Sequence, residues 1–329
     1  MKRLAIIGGG SWGTALALAL SPRFSDVRLW VHDAALAGRM ETSRVNDFYL
    51  PGFDIPPQVR ISHHLGVVLD QADVVVHATP SHHAREVLGQ VTPHLAPAAM
   101  VVSATKGIET GSLLRMSQVL AEVCGPRPLA VLSGPSFAQE VAAGKPVALV
   151  VASDEKSVAG AVQMAFSTSA LRLYVSSDVV GVELGGALKN VIAIGAGVCT
   201  GLDLGHNALA ALMTRGLAEI SRLAVALGGC PQTLSGLAGM GDLVLTCTGA
   251  LSRNRKVGIG LASGVGIKEI SASMKMVAEG VRTAAAAMDL ARRCGVEMPI
   301  AEQMEALLAG HRTPVEAIRL LMERSLKDE

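Results

Sequence analysis

The feature that most constrains this chain is its start. Residues 3–8 read RLAIIG, a β-type apolar run, and pass directly through GGGSWG into TALALAL, an apolar helix former. Gly8, Gly10 and Gly13 thus make G-x-G-x-x-G between a strand and a helix, the one setting that gives the pattern meaning. The first glycine allows a tight turn, the second lets backbone approach a pyrophosphate, and the third lets the helix pack on the strand. Phosphate oxygens then face the free N–H groups of the helix start. A purely structural glycine turn is the plainer alternative, but the position at the head of a βαβ unit favours a dinucleotide site.

Further β-type runs follow at 26–31, 73–79, 100–105, 129–134, 147–153 and 171–176, separated by helix-length segments such as 12–21, 81–90 and 112–124. Such alternation builds a parallel, doubly wound sheet. From Gly181 onward the pattern changes to Ala/Leu-rich stretches at helical period, including 207–227 and 275–294. The expected fold is α/β, with an N-terminal doubly wound Rossmann-type domain over 1–180 and a C-terminal all-helical domain over 181–329. The 329 residues suffice for two cores. No low-complexity linker separates the halves, so they should pack closely around a cleft.

Composition narrows the partners. With 29 basic and 28 acidic residues and no long run of one sign, the chain offers no general nucleic-acid or polybasic membrane surface. Any anion site must be local. The five cysteines, Cys124, Cys199, Cys230, Cys247 and Cys294, are odd in number, widely spaced and free of CxxC, which suggests neither a disulfide framework nor a zinc site. Reduced thiols and a cytoplasmic location are expected. Apolar runs of membrane-spanning length carry polar interruptions, 184–199 being the nearest approach, so no stable membrane insertion is expected. His63–His64 and His82–His83 lack matching ligands and His77 lies within a β run, so no metal is expected.

Polar groups gather where such a sheet opens its crevice. The second strand ends WVHD: Asp33 suits the ribose of NAD, whereas a basic residue accommodates the NADP phosphate, and His32 only partly fills that role. SATKGIE places Lys106 after a strand, and in LSGPSFAQE the Ser136–Gln139 spacing is that of a capping box, so a helix start with free N–H groups is expected there. An ordinary cap explains that spacing equally well. GMGDLVLTCTGALSRNRKVG presents Asp242 and then Ser252, Arg253 and Asn254, which suit a phosphate or a solvated basic turn. VAEGVRT adds Glu279. Finally, LGGALKNVIAIGAGVC sets Lys189 and Asn190 on a helix apolar nearly all round, where a lysine either snorkels from an edge or faces a cleft.

Taken in order, GGGSWGTALA, SATKGIE, SGPSFAQE, LGGALKNVIAIGAG, GHNALAALMTRGLAE, LAGMGDLVLTCTG, SRNRKVG and VAEGVRTA resemble the bacterial-type NAD(P)-dependent glycerol-3-phosphate dehydrogenases over essentially the whole chain. The resemblance implies reversible oxidation of sn-glycerol 3-phosphate to dihydroxyacetone phosphate, serving phospholipid synthesis, with NAD(H) or NADP(H) as cofactor and a homodimer as the assembly. Carried over by position, it implies cofactor contacts at Gly8, Gly10, Ser11, Trp12, Gly13, His32, Tyr49, Lys106, Ala138, Arg253, Val277 and Glu279. Substrate contacts fall at Lys106, Gly134, Ser136, Lys189, Asp242, Ser252, Arg253 and Asn254, with Lys189 as proton acceptor and Lys106 and Asp242 beside it. His32 departs from the arginine common at its position.

In this light Lys189 faces the cleft. Its helical neighbours Gly185, Gly186, Ile192 and Ala193 are expected to keep space open above it. Burial, a helix start only a turn or two earlier, Lys106 and Arg253 should all favour its neutral form. Asp242 either orients Lys189 or binds a substrate hydroxyl. Two other functions stay open: another lysine-dependent Rossmann reductase of the hydroxyacid or sugar-acid type, against which the Ser252–Arg253–Asn254 cluster speaks, and a non-catalytic dinucleotide sensor.

Overall fold

The computed structural model describes residues 1–274 and 278–326. Among them the strands are β1 (Arg3–Ile7), β2 (Asp26–Trp30), β3 (Val45–Asn46), β4 (Leu50–Asp54), β5 (Val59–Ser62), β6 (Val74–His77), β7 (Met100–Ser103), β8 (Leu129–Ser133), β9 (Val147–Ala152) and β10 (Leu171–Ser176). One sheet runs β10-β9-β8-β7-β6-β1-β2-β5, and β3 pairs with β4 separately. From β5 to β8 every neighbouring pair is parallel. Numbered among themselves, these strands lie in the order 3-2-1-4-5-6, whose switch point between β1 and β6 is where a doubly wound sheet binds its ligand.

Each expected strand is present, but the sheet is mixed. β9 lies antiparallel to β8, and β10 is parallel to β9. A parallel return needs a long crossover, usually a helix. The 134–146 connection contains only the short helix Ala138–Ala142, which packs against the helix Ser11–Leu20, so the chain turns back instead.

Covered on both faces, the strands read as continuous apolar runs. Leu4 and Ile6 enter one core and Ala5 and Ile7 the other, all with essentially no exposed surface. After β10 the described chain is helical. The helix Val179–Gly201 is buried almost throughout and packs against Gly205–Ala226, Asp242–Thr248, Arg253–Ala262 and Glu279–Cys294. By length and mean hydropathy (1.5) it could cross a membrane, yet 94% of its 18-residue apolar stretch is buried inside the protein. A helix in the middle of a bundle must be apolar all round, which accounts for its composition.

This central helix is also fixed to the sheet half. Val179 and Val182 share a small core with Val131 and Ala152. The buried carboxylate of Glu183 accepts hydrogen bonds from the Ser117 N–H (2.7 Å), the Ser117 hydroxyl (2.6 Å) and Arg115. Burial pushes its pKa up, and these partners oppose the shift.

Candidate active site

The three fingerprint glycines are used differently. Gly8 has φ +126°, and a Cβ there would lie 2.7 Å from the Ala78 carbonyl oxygen. A Cβ on Gly13 would lie 1.9 Å from the Gly8 oxygen, so helix and strand touch through bare backbone. Gly10 has nothing within 4 Å of its missing Cβ and opens toward solvent space. The helix Ser11–Leu20 has neither a side-chain cap nor an acid in its first turn, leaving its leading N–H groups for an anion. Beside it, the buried Trp12 Nε1–H has no hydrogen-bond partner among the described residues.

At the outer end of this site His32 is exposed, its ring edge-on to Trp30 at 5.5 Å. Asp33 caps the next helix, its Oδ1 accepting the Leu36 N–H at 2.7 Å. The acidic residue open to a ribose role is therefore partly engaged by its own helix. Half-buried Tyr49 is drawn in through Asn46, which accepts the Tyr49 N–H (3.0 Å) and donates to the Gly9 carbonyl (2.9 Å) and the Thr14 hydroxyl (2.8 Å).

The second centre is built of side chains. On the central helix, buried Lys189 donates to Asp242 Oδ1 and to Thr246 Oγ1 at 2.8 Å. Lys106, arriving from the loop after β7, donates to Asp242 Oδ2 (2.6 Å) and to the Gly134 carbonyl (3.0 Å). Asp242, with no exposed surface, thus bridges two lysines contributed by the two halves of the chain. Thr246 lies one turn further along the helix and gives its proton to the Asp242 carbonyl at 2.6 Å. Burial draws the Lys189 amine down to about 8, with Asp242 opposing and Lys106 assisting.

Two expectations about Lys189 are corrected. Its helix begins at Val179, about three turns away, too far for the helix start to act strongly. Gly185 and Gly186 do not hold open space above it. A Cβ on Gly185 would lie 2.5 Å from the Ala238 carbonyl oxygen, and one on Gly186 2.5 Å from Ser133 Oγ, so these glycines let the helix press against its neighbours.

The capping-box expectation for Ser136 is also corrected. The Ala138–Ala142 helix is capped at Phe137 without a side-chain bond, and Ser136 Oγ turns back to the Gly134 carbonyl at 3.1 Å. Gly134, at φ +130°, and Pro135 hold the chain out of helical geometry there.

Ser252 caps the helix Arg253–Ala262, accepting the Arg255 N–H at 3.2 Å. Asn254 donates to Asn190 Oδ1 (2.9 Å) and accepts the Gly280 N–H (2.9 Å), joining three helices. Burial lowers the Arg253 pKa against the nearby Glu279 charge. Glu279 accepts from the Ser81 hydroxyl (2.6 Å) and N–H (3.3 Å), and burial raises its pKa. Ala138 opens its short helix, half-buried. Val277 lies outside the described residues. Asn46, Ser81, Asn190 as a hydrogen-bond partner, and Thr246 emerge only from the fold; Thr246 is signalled in sequence by its spacing of one turn from Asp242 and Asn190 by its place beside Lys189, whereas Asn46 and Ser81 carry no signal.

A doubly wound sheet opening at a glycine fingerprint, joined to a helical half that supplies a buried lysine, defines a two-part dinucleotide-dependent dehydrogenase. Residues 3–159 match the family described as NAD-dependent glycerol-3-phosphate dehydrogenase N-terminus, and residues 178–319 match its C-terminus. The chain belongs to the NAD-dependent glycerol-3-phosphate dehydrogenase family. It is 51% identical to a glycerol-3-phosphate dehydrogenase (NAD(P)+) of Acidobacterium capsulatum, over 100% of both chains. With that of Geobacter sulfurreducens it shares 50% identity, over 100% of this chain and 99% of the other. The crystal structure of glycerol-3-phosphate dehydrogenase from Coxiella burnetii superposes with a TM-score of 0.95 at 39% identity, covering 98% of this chain and 99% of that one.

Proposed function

We propose that Lys189, Lys106 and Asp242 form the catalytic centre of a reversible NAD(P)-dependent oxidation of sn-glycerol 3-phosphate to dihydroxyacetone phosphate, an activity that supplies glycerol 3-phosphate for phospholipid synthesis. The observation that carries this reading is the Lys106–Asp242–Lys189 bridge across the two halves. The division into a dinucleotide-binding part over 1–180 and a substrate part over 181–329 follows the same line, supported by the change from sheet to helix between Ser176 and Val179.

The residues present fit a nicotinamide dinucleotide: an open Gly10, uncapped helix N–H groups, and a buried indole N–H in need of an acceptor. Ser11, Trp12 and the fingerprint backbone would hold its pyrophosphate, with His32 and Tyr49 at the adenosine end and Lys106, Ala138, Arg253 and Glu279 along the cleft. A nicotinamide held there would supply the hydride acceptor for oxidation at C2 of the alcohol and the hydride donor for reduction of the ketone.

Proton management falls to the chain. A neutral lysine amine has two N–H groups and one lone pair. Asp242 Oδ1 and Thr246 Oγ1 take the two protons, which leaves the lone pair to accept the C2 hydroxyl proton. In the reverse direction the third proton of the ammonium goes to the carbonyl oxygen. Such acid–base help contributes about 10²–10⁴ in rate. Asp242 holds the amine in place, and Arg253 with its sequence neighbours Ser252 and Asn254, together with Ser136, provides for the phosphate.

The test is a steady-state assay of dihydroxyacetone phosphate reduction with NADH and NADPH in parallel. Turnover of the phosphate ester and none of dihydroxyacetone is expected; equal turnover of both would place the protein among reductases of non-phosphorylated substrates. We read the assembly as a cytoplasmic homodimer. All five cysteines are free, in keeping with a reducing compartment. Sedimentation as a monomer at micromolar concentration would reject the dimer.

A further inference from the structure

His77 ends β6 and is the register partner of Ile7 on one side, immediately before the fingerprint, and of Ser103 on the other, two residues before Thr105. It is 1% exposed. Its ring meets two hydroxyls: Nε2 lies 2.6 Å from Thr79 Oγ1 and Nδ1 lies 3.0 Å from Thr105 Oγ1. Thr105 Oγ1 also reaches two carbonyls, that of Thr79 at 2.8 Å and that of His77 at 3.3 Å.

Counting protons orders this group. Assigning the single Thr105 hydroxyl proton to the Thr79 carbonyl, the nearer of its two carbonyl partners, makes its oxygen an acceptor toward the ring, so that Nδ1 carries the hydrogen. Nε2 of the neutral ring is then bare and accepts the Thr79 hydroxyl proton. The chain runs from Thr79 Oγ1–H to Nε2, from Nδ1–H to Thr105 Oγ1, and from Thr105 Oγ1–H back to the Thr79 carbonyl. In this order each proton of the group has an acceptor, and a protonated ring would break the sequence by making Nε2 a second donor. Burial draws the imidazole down to about 4, so it stays neutral near pH 7.

The ring thereby ties two loops together. Residues 78–79 form the surface that Gly8 presses against, since its Cβ would meet the Ala78 carbonyl and the Thr79 nitrogen. Thr105 is directly followed by Lys106, whose ammonium reaches Gly134 and Asp242. We propose that His77 is a positioning residue for the reaction: a neutral imidazole that fixes the Thr105–Lys106 loop, and with it the Lys106–Asp242 contact, against the wall of the cofactor loop. Its placing between the fingerprint strand and the lysine strand allows one side chain to hold the reducing and substrate ends of the site in register.

This inference rests on the role assigned above to Lys106, and the test separates the two. His77→Val puts a good strand former in place of the ring, His77→Asn retains a donor and an acceptor, and Lys106→Met is the control. Each variant is measured for Tm, for NADPH dissociation by fluorescence without substrate, and for kcat and KM with dihydroxyacetone phosphate. Misplacing a reacting group by 1 Å can cost about a hundredfold. His77→Val should lose roughly tenfold or more in kcat/KM for dihydroxyacetone phosphate while NADPH binding stays within about threefold, and His77→Asn should recover most of that loss. A folded His77→Val within about twofold of the parent, beside a crippled Lys106→Met, overturns the positioning role alone. An active Lys106→Met overturns the reading of the site. If His77→Val does not fold, Thr105→Val, which removes one hydroxyl at nearly constant shape, decides by the same kinetic criteria.

Discussion

The two ends of the proposed site are made of different materials. At the fingerprint end the working groups are backbone: glycines that let chain approach chain, and helix N–H groups left without a cap. At the lysine end they are side chains, with Lys106 and Lys189 meeting on Asp242 from segments far apart in sequence. A backbone site can be written in a few consecutive residues because local geometry defines it. A side-chain site exists only after tertiary packing has brought its members together. Substitutions should therefore separate the ends: the first governs cofactor affinity and folding, and the second governs the chemical step.

The largest effect should come from Lys189→Met, which preserves approximate shape and removes the titrating amine. A fall in kcat of about 10²–10⁴ is expected, with NADPH dissociation nearly unchanged. Retention of kcat within about threefold, under ~1 kcal/mol, would make the lysine structural. Arg253→Ala comes next. Losing a charge-assisted grip on a phosphate is worth about 1.5–3 kcal/mol, so KM for dihydroxyacetone phosphate should rise roughly 10- to 100-fold. A near-normal KM for both substrate and cofactor would remove Arg253 from the site.

Gly13→Ala probes the backbone end. Its methyl group would collide with the Gly8 carbonyl, and overpacking costs about 1–3 kcal/mol. A lower Tm and weaker NADPH binding are expected, while kcat at saturating cofactor holds within about threefold. If kcat collapsed and binding did not, the separation between the two ends would be wrong. The smallest effect belongs to His32→Arg, which should move the ratio of kcat/KM values several-fold toward NADPH by supplying a permanent cation at the ribose end. An unchanged ratio would remove residue 32 from cofactor choice.

The same contrast explains what could be read before folding. The apolar strands and the fingerprint were legible because each follows from neighbouring residues, and the buried lysine because charge is conspicuous on an apolar helix. The antiparallel turn from β8 to β9 was not, since the apolar pattern of a strand carries no direction. β5 and the β3–β4 hairpin are short and rich in polar residues, leaving little periodic signal. At Ser136 the spacing matched a capping box, yet Gly134 and Pro135 delayed the helix. Thr246 and Ser81 are ordinary hydroxyl residues until folding sets them against Lys189 and Glu279.

In the proposed mechanism Lys189 exchanges the substrate proton from an amine poised at about 8. Below that value the ammonium form predominates and can donate; above it the neutral amine predominates and can accept. The most direct measurement is the pH dependence of kcat/KM in both directions, which reports groups of the free enzyme. Oxidation of glycerol 3-phosphate should rise through pH about 8 and reduction of dihydroxyacetone phosphate should fall through the same region, with both steps absent in the residual activity of Lys189→Met. Profiles for the unmodified enzyme that stay flat through this region, or steps that persist in Lys189→Met, would contradict the assignment.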